Sequence, residues 1–181
     1  MTPFDVPIPE RLKRFPLWQG KLLIHFTVHV NKDGSPDFKA FHSAHRAQAL
    51  AKDWCPLCGQ RMEPPYAFIG GPLCHTNRVF IDGPMHEECA RYATKVCPYL
   101  ANPNGDHSDK PPNLDAHHVA VTHEMAAPGR PAKMGLFFAD SYQLLRSPDG
   151  VVIKAGPWLR VDWTAMPERI ESACPHHKGT S

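Results

Sequence analysis

The chain has 181 residues, of which 42% are hydrophobic, and its formal net charge is +2. That length suits a single domain with a buried core, and a charge so close to zero gives little support to binding of nucleic acid through a broad basic surface. The sequence contains no apolar run of the roughly 18 residues that a membrane-spanning helix needs, so we expect no membrane partner.

Twenty prolines, about twice the usual share, predict short elements joined by turns. Residues 1–20 contain four of them and are predicted to form an irregular Pro-rich arm. This N-terminus lacks the charged-then-apolar order of a signal peptide. We therefore expect a cytoplasmic protein with reduced cysteines, and three disulfides among the six cysteines are the alternative that export would require.

Two regular elements are predicted next. The segment "KLLIHFTVHV", residues 21–30, is rich in β-branched and aromatic residues and ends at the turn signal "NKDG", which predicts a strand. His25 and His29 would share one face of it. The segment "AFHSAHRAQALAKDW", residues 40–54, predicts a helix. Its buried side is predicted to contain Phe41, Ala44, Leu50 and Trp54.

A hairpin and a helix follow the "CPLCG" motif. In residues 66–82, two apolar runs flank "GGP", which predicts a β-hairpin. In residues 83–100, "GPMHEECARYATKVCPYL", Pro84 suits the first position of a helix, and the two glutamates favour a helix N-terminus. Pro98 should end this helix near Val96 or Cys97.

The last part of the chain is predicted to be loop and then strand. Residues 101–133 have loop-like composition around an alternating stretch, "AHHVAVTHEM". Residues 134–163 predict three or four short strands, with "SPDG" turning one hairpin that pairs 142–146 with 151–154. A short helix is expected over 167–173.

The strongest chemical signal is a C-x-x-C pair followed by H-x-x-C. Cys55 and Cys58 form a knuckle in which Gly59 permits a left-handed backbone. His86 and Cys89 are three apart on one helix face, and the helix N-terminus favours thiolate charge. Three sulfurs and one nitrogen make a closed tetrahedral site for one structural Zn²⁺. A redox C-x-x-C is the alternative, but such motifs open a helix after a strand.

The order of knuckle, hairpin and ligand-bearing helix over residues 54–100 resembles treble-clef zinc fingers. Over residues 36–162 the chain also resembles uncharacterised zinc-finger proteins encoded by phages, prophages and actinobacterial genomes. The segments "IGGPLCHTNRVF", "MHEECARYATKVCPYL" and "DSYQLL…DGVVIKAG" carry that likeness. It implies a zinc fold and mobile-element ancestry, and it implies no reaction.

Two catalytic alternatives were tested on the residues. An HNH-type nuclease could use His75 and Asn77 for the first half of its motif, but Ala90 occupies the position of its second metal-ligating residue. A zinc deaminase needs H-x-E before a P-C-x-x-C, whereas here the Cys pair precedes the "HEE" of residues 86–88. We therefore expect no catalytic residues and lean toward a protein that is not an enzyme.

The remaining cysteines and histidines leave alternatives open. Cys97 fits a core position, and Cys74 could substitute as a metal ligand because His75 is adjacent. Five histidines and one cysteine near the C-terminal part of the chain either are solvated side chains or form a second metal site. These residues are His117, His118, His123, Cys174, His176 and His177.

Together these features predict an α+β fold: a treble-clef zinc finger with an N-terminal strand–helix segment and a C-terminal antiparallel β-meander. We predict one domain over 1–181 whose parts are the arm 1–20, the strand–helix and zinc core 21–100, the loop region 101–133 and the β region 134–173. The expected function is non-catalytic binding of a macromolecule, most of all a host protein that it modulates or inhibits, with no small-molecule substrate. The alternatives are a nucleic-acid-binding finger and a divergent HNH-like nuclease. The basic residues available for binding are Arg61, Arg78, Arg91 and Lys95.

Overall fold

A computed structural model describes residues 6–101, 131–147 and 150–166. The helices are α1 (Ser43–Ala51), α2 (Pro72–Asn77), α3 (Glu87–Val96) and α4 (Pro98–Ala101), preceded by a 3-10 turn at Glu10–Leu12. The first six strands are β1 (Leu17–Trp18), β2 (Leu22–Leu23), β3 (Val28–Val30), β4 (Pro36–Phe41), β5 (Tyr66–Gly70) and β6 (Val79–Phe80). The last four are β7 (Lys133–Ala139), β8 (Tyr142–Ser147), β9 (Gly150–Ala155) and β10 (Trp158–Ala165).

The strands form antiparallel sheets, which confirms the α+β class. Two sheets have three strands, in the orders β10–β7–β5 and β6–β9–β8, and the pairs β1–β2 and β3–β4 form two small sheets. The predicted hairpin of residues 142–146 with 151–154 is present as β8 and β9. The predicted short helix at 167–173 and most of the 101–133 loop region lie outside the described residues.

The four C-terminal strands do not form the predicted meander. Strands β7 and β10 join β5, whereas β8 and β9 join β6. The reason lies in β7, where Phe137 and Phe138 point to opposite faces and both are buried. A strand that is apolar on both faces must be central, so it pairs on one edge with β5 and on the other with β10.

The prediction of a β-hairpin over residues 66–82 is also wrong. Gly71 is the N-cap of α2 and Pro72 occupies its first turn, because the fixed φ angle of proline is already helical. Arg78 ends α2 in the left-handed region, at φ 57°. The short helix separates the two strands, and β5 then pairs with β7 while β6 pairs with β9.

The N-terminal elements are shorter than predicted. Residues 21–30 contain two short strands instead of one, because the N–H groups of Phe26 and Thr27 donate to the carbonyls of Leu57 and Pro56. His25 and His29 therefore do not lie on one continuous strand.

Helix α1 begins at Ser43 and ends at Ala51. It buries Ala49 and Arg46, whereas Ala44, predicted to be buried, is exposed. Arg46 can be buried because its guanidinium donates to the carbonyls of Ile81 and Val151, each at 2.9 Å.

Helix α3 begins at Glu87. The prediction that Pro84 occupies the first position of this helix is therefore wrong, because Pro84 precedes it. The two glutamates do lie in the first turn, and the helix ends at Val96 as predicted. Pro98 then begins α4, a separate single turn. No helix in the described parts of the chain is long and apolar enough to cross a membrane.

The core has two parts, one on each face of β7. One face carries Leu136 and Phe138 toward the cysteine-rich cluster and α3. The other carries Phe137 and Ala139 onto the aromatic cluster of the second sheet. The first part includes Leu12, which is 0% exposed, so the predicted irregular arm contributes to the same core that surrounds the cluster.

Candidate metal centre

The four predicted ligands come together. The ligand atoms of Cys55, Cys58, His86 and Cys89 all lie within 4.8 Å of one another. The three cysteines are 0% exposed, and His86 is partly exposed. The chain thus assembles a Cys₃His group that could bind one metal ion.

The knuckle is closed by backbone hydrogen bonds. The N–H of Gly59 donates to the carbonyl of Cys55 at 2.7 Å, and the N–H of Cys55 donates to the carbonyl of Gln60 at 2.9 Å. Gly59 has φ 62°, a conformation that favours glycine. A Cβ there would also lie 2.8 Å from the Phe26 ring, so both the turn and the packing require glycine.

Helix α3 supplies the other two ligands. His86 is its N-cap residue, with an extended backbone at φ −64° and ψ 146°, and Cys89 lies in the first turn. Both therefore lie beside the positive end of the helix dipole, which stabilises thiolate charge. The Nδ1 of His86 lies 3.4 Å from the Sγ of Cys58, and the Nε2 of His86 lies 3.1 Å from the carbonyl oxygen of Arg61.

These dimensions are close to those of a tetrahedral ion site. With Zn–S bonds of about 2.3 Å and Zn–N bonds of about 2.0 Å, neighbouring ligand atoms are separated by roughly 3.5–3.8 Å. The 3.4 Å separation of Cys58 Sγ from His86 Nδ1 is close to that range, whereas the 4.8 Å limit over the whole group is about 1 Å wider. Thiolate and imidazole are ligands typical of zinc sites, and thiolates also suit Cu(I) and iron–sulfur clusters.

The cluster also favours the ionised form of a thiol. Hydrogen bonds with Cys55 and Cys89 hold the pKa of Cys58 far below its usual value, whereas hydrogen bonds with Cys55 and Cys58 raise the pKa of Cys89. Hydrogen bonds with Cys55 and Cys58 raise the pKa of His86 to about 10. Negative charge is thus placed on the Cys58 sulfur, where a cation would be bound.

The N-terminal arm packs over this centre, which sequence reasoning missed. Arg11 forms an ion pair with Glu88 and donates to Gln60 at 2.7 Å, and its pKa is raised first by the Glu88 bond and also by the charges of Cys58 and Cys89. Arg14 donates to the carbonyl of Cys58. In the sequence, the only indication of this contact is that the arm is basic and the predicted metal site is anionic.

The residues proposed for a nuclease are occupied in packing. The His75 ring lies against Phe137, Trp158 and Trp163, with centroid separations of 5.5, 6.3 and 5.4 Å. The Oδ1 of Asn77 accepts a hydrogen bond from the N–H of Val79 at 2.8 Å. Neither residue belongs to the four-residue Cys₃His group.

The other candidate residues do not join the centre. Cys74 and Cys97 lie outside the four-residue group, and burial raises the pKa of each thiol. All five cysteines in the described ranges are free thiols. The second-site residues, from His117 to His123 and from Cys174 to His177, lie outside the described residues.

The four basic candidates differ in their surroundings. Arg91 is held by Glu87 and Asp162, at 2.7 and 2.8 Å. Arg78 is partly buried at the end of α2. Arg61 and Lys95 are exposed.

No protein-family model, curated protein or solved structure matches this chain.

Proposed function

We propose that this protein is a non-catalytic zinc protein whose single Cys₃His ion stabilises the fold, and that it acts by binding another protein. The observation that carries the proposal is the convergence of four protein ligands within 4.8 Å. Four protein ligands saturate tetrahedral zinc and leave no position for a water or substrate. The order of knuckle and ligand-bearing helix resembles that of a treble clef, although α2 separates the two strands that were predicted to form its hairpin.

The exposed apolar side chains support a protein partner. Leu144 and Leu145 on β8 are 42% and 41% exposed, and both belong to a strand that forms the edge of its sheet. Neighbouring residues of a strand point to opposite faces, so the two leucines place one apolar side chain on each face of an edge that a partner strand could extend. The likeness to phage-encoded proteins makes a host protein the partner that we favour.

The ion and the binding activity are tested separately. Metal analysis of the purified chain should give one zinc per chain, and removal by a chelator should unfold the cysteine-rich core. A zinc-free chain that keeps its full thermal stability would refute the structural ion. Two ions per chain would instead indicate a second site among the remaining histidines.

Binding is tested by capturing partners from a host lysate with the native chain and with a Leu144→Lys, Leu145→Lys variant. A protein recovered only by the native chain, in a stoichiometric complex that persists from about 50 to 200 mM salt, supports the proposal. Phosphate-driven binding of DNA or RNA would weaken steeply over that range. Metal-dependent cleavage of DNA by the pure protein would overturn the non-catalytic assignment.

A further inference from the structure

Strand β10 has an outer edge that no described strand covers. It pairs on one side with β7 and lies at the edge of its sheet. It is eight residues long, and Leu159 and Trp163 on it are 62% and 36% exposed. Long edge strands without proline are templates for pairing with another chain.

The direction of its free hydrogen-bonding groups follows from one bond. The N–H of Met166 donates to the carbonyl of Ala132 at 3.0 Å, on the β7 side. Main-chain groups in an antiparallel strand alternate in direction along the chain, and the bulge in this ladder lies before Arg160. Val161 and Trp163 therefore direct their N–H and C=O groups away from β7.

The sequence of this edge is complementary to itself. An antiparallel pairing of two copies about Val161 places Arg160 of each copy opposite Asp162 of the other. In the same register Leu159, which lies in the bulge of the β10–β7 ladder, is opposite Trp163 of the other copy. Val161 would form the hydrogen-bonded pair on the two-fold axis, so that the two Arg–Asp pairs occupy the flanking positions where cross-strand side chains are closest.

The two charged residues are already ordered for such a contact. Arg160 lies over the Phe138 ring at 3.7 Å and pairs with Glu87 at 2.6 Å. Asp162 pairs with Arg91 at 2.8 Å and with Arg160 of its own chain at 3.4 Å. The side chains of Arg160 and Asp162 remain 48% and 35% exposed, so each can take a further partner across the axis at little additional entropic cost.

From this register we infer that two copies of the chain associate through β10, which joins two three-stranded sheets into one six-stranded antiparallel sheet. The edge strand β8 shows no such complementarity, because self-pairing about Leu144 and Leu145 places Arg146 opposite Gln143. The occupant of the β10 edge is therefore a second copy of this chain. This goes beyond the proposed function and does not depend on it.

Sedimentation equilibrium of the full zinc-loaded chain tests the inference. The wild type should have twice the 20.3 kDa mass of one chain. Arg160→Asp and Asp162→Arg each place like charges across the axis and should weaken self-association by on the order of tenfold. An equimolar mixture of the two variants restores both opposite-charge pairs and should restore the dimer.

A wild type that remains at the mass of one chain, or charge variants that still self-associate fully, would overturn the inference. If circular dichroism shows that a charge variant is unfolded, two variants that each replace one leucine test the interface instead. Leu159→Lys on β10 should abolish the dimer, and the matched Leu145→Lys on β8 should retain it. Any other pattern in that pair rejects the β10 interface.

Discussion

His86 donates a hydrogen bond from Nε2 to the main-chain oxygen of Arg61, 3.1 Å away. A proton fixed on Nε2 leaves Nδ1, which lies 3.4 Å from the Sγ of Cys58, directed into the cysteine cluster. A bound ion would replace the second proton that the raised pKa of His86 otherwise keeps on Nδ1. Arg61 follows the knuckle directly, so the turn that presents Cys58 also orients the histidine. The ligands are therefore positioned by one another, and loss of one should disable the whole site.

Replacement of one ligand tests this dependence. Cys89→Ser should lose the ion and unfold the cysteine-rich core, because structural zinc contributes on the order of 10 kcal/mol to folding. The measurements are metal content and thermal unfolding followed by circular dichroism. Cys97→Ser is the matched control, since Cys97 is a free thiol outside the group; it should keep the ion and lose about 1 kcal/mol. A zinc-free Cys89→Ser chain with native melting behaviour would contradict the structural role.

The arm should tune the affinity of the site for its ion. Zinc with three thiolates and a neutral imidazole carries one net negative charge, and Arg11 lies close enough to Cys58 and Cys89 for their charges to raise its pKa. Arg11→Ala should therefore weaken zinc binding severalfold, toward the lower end of the roughly 10–100-fold that loss of outer-shell partners causes. Competition with a chromophoric chelator measures this. Lys13→Ala, which removes an exposed pair with Glu10, should leave the affinity unchanged.

The arm should also contribute to folding through Leu12. This side chain is 0% exposed within the core that surrounds the cysteines, and Leu→Ala changes at such positions cost about 2–5 kcal/mol. Leu17→Ala provides the control, because Leu17 is 42% exposed in the same arm and should cost less than about 1 kcal/mol. Urea unfolding of the zinc-loaded proteins gives both values. Equal costs for the two variants would mean that the arm does not pack as described.

The sequence was sufficient for the candidate site because each half of it is local. Cys55 and Cys58 are linked by one turn, and His86 and Cys89 by one turn of helix, so spacing alone determines how each pair is presented. Joining the halves required only that both pairs bind the same ion. The hairpin β8–β9 was predictable for the same reason, since its turn signal lies between the two strands.

The parts that failed depend on contacts between distant residues. The strand predicted over 21–30 is broken because the N–H groups of Phe26 and Thr27 bond to knuckle carbonyls some 30 residues away. The β-meander failed because a strand apolar on both faces takes partners wherever the core requires them. The arm looked irregular because only one residue in its 3-10 turn, Leu12, is buried, and a single apolar position has no period to detect.

His25 should make the folded protein less stable in acid. Its Nδ1 is buried with no hydrogen-bond partner among the described residues, and burial lowers the pKa of His25 from 6.5 to about 4. Between these two pH values the unfolded chain binds more protons than the folded one, so the free energy of unfolding must rise with pH across this window and fall on acidification. At pH 4 the loss relative to neutral pH should be about 2–3 kcal/mol.

The variant His25→Phe removes this group and isolates its contribution. Zinc loss in acid affects both proteins, so the informative quantity is the difference between their free energies of unfolding, measured by urea at a series of pH values from 7.5 to 4. The free energy of unfolding of His25→Phe should increase relative to that of the wild type as the pH falls below 6.5. A difference between wild type and His25→Phe that stays constant across the series would show that His25 ionises as freely in the folded protein as in the unfolded chain.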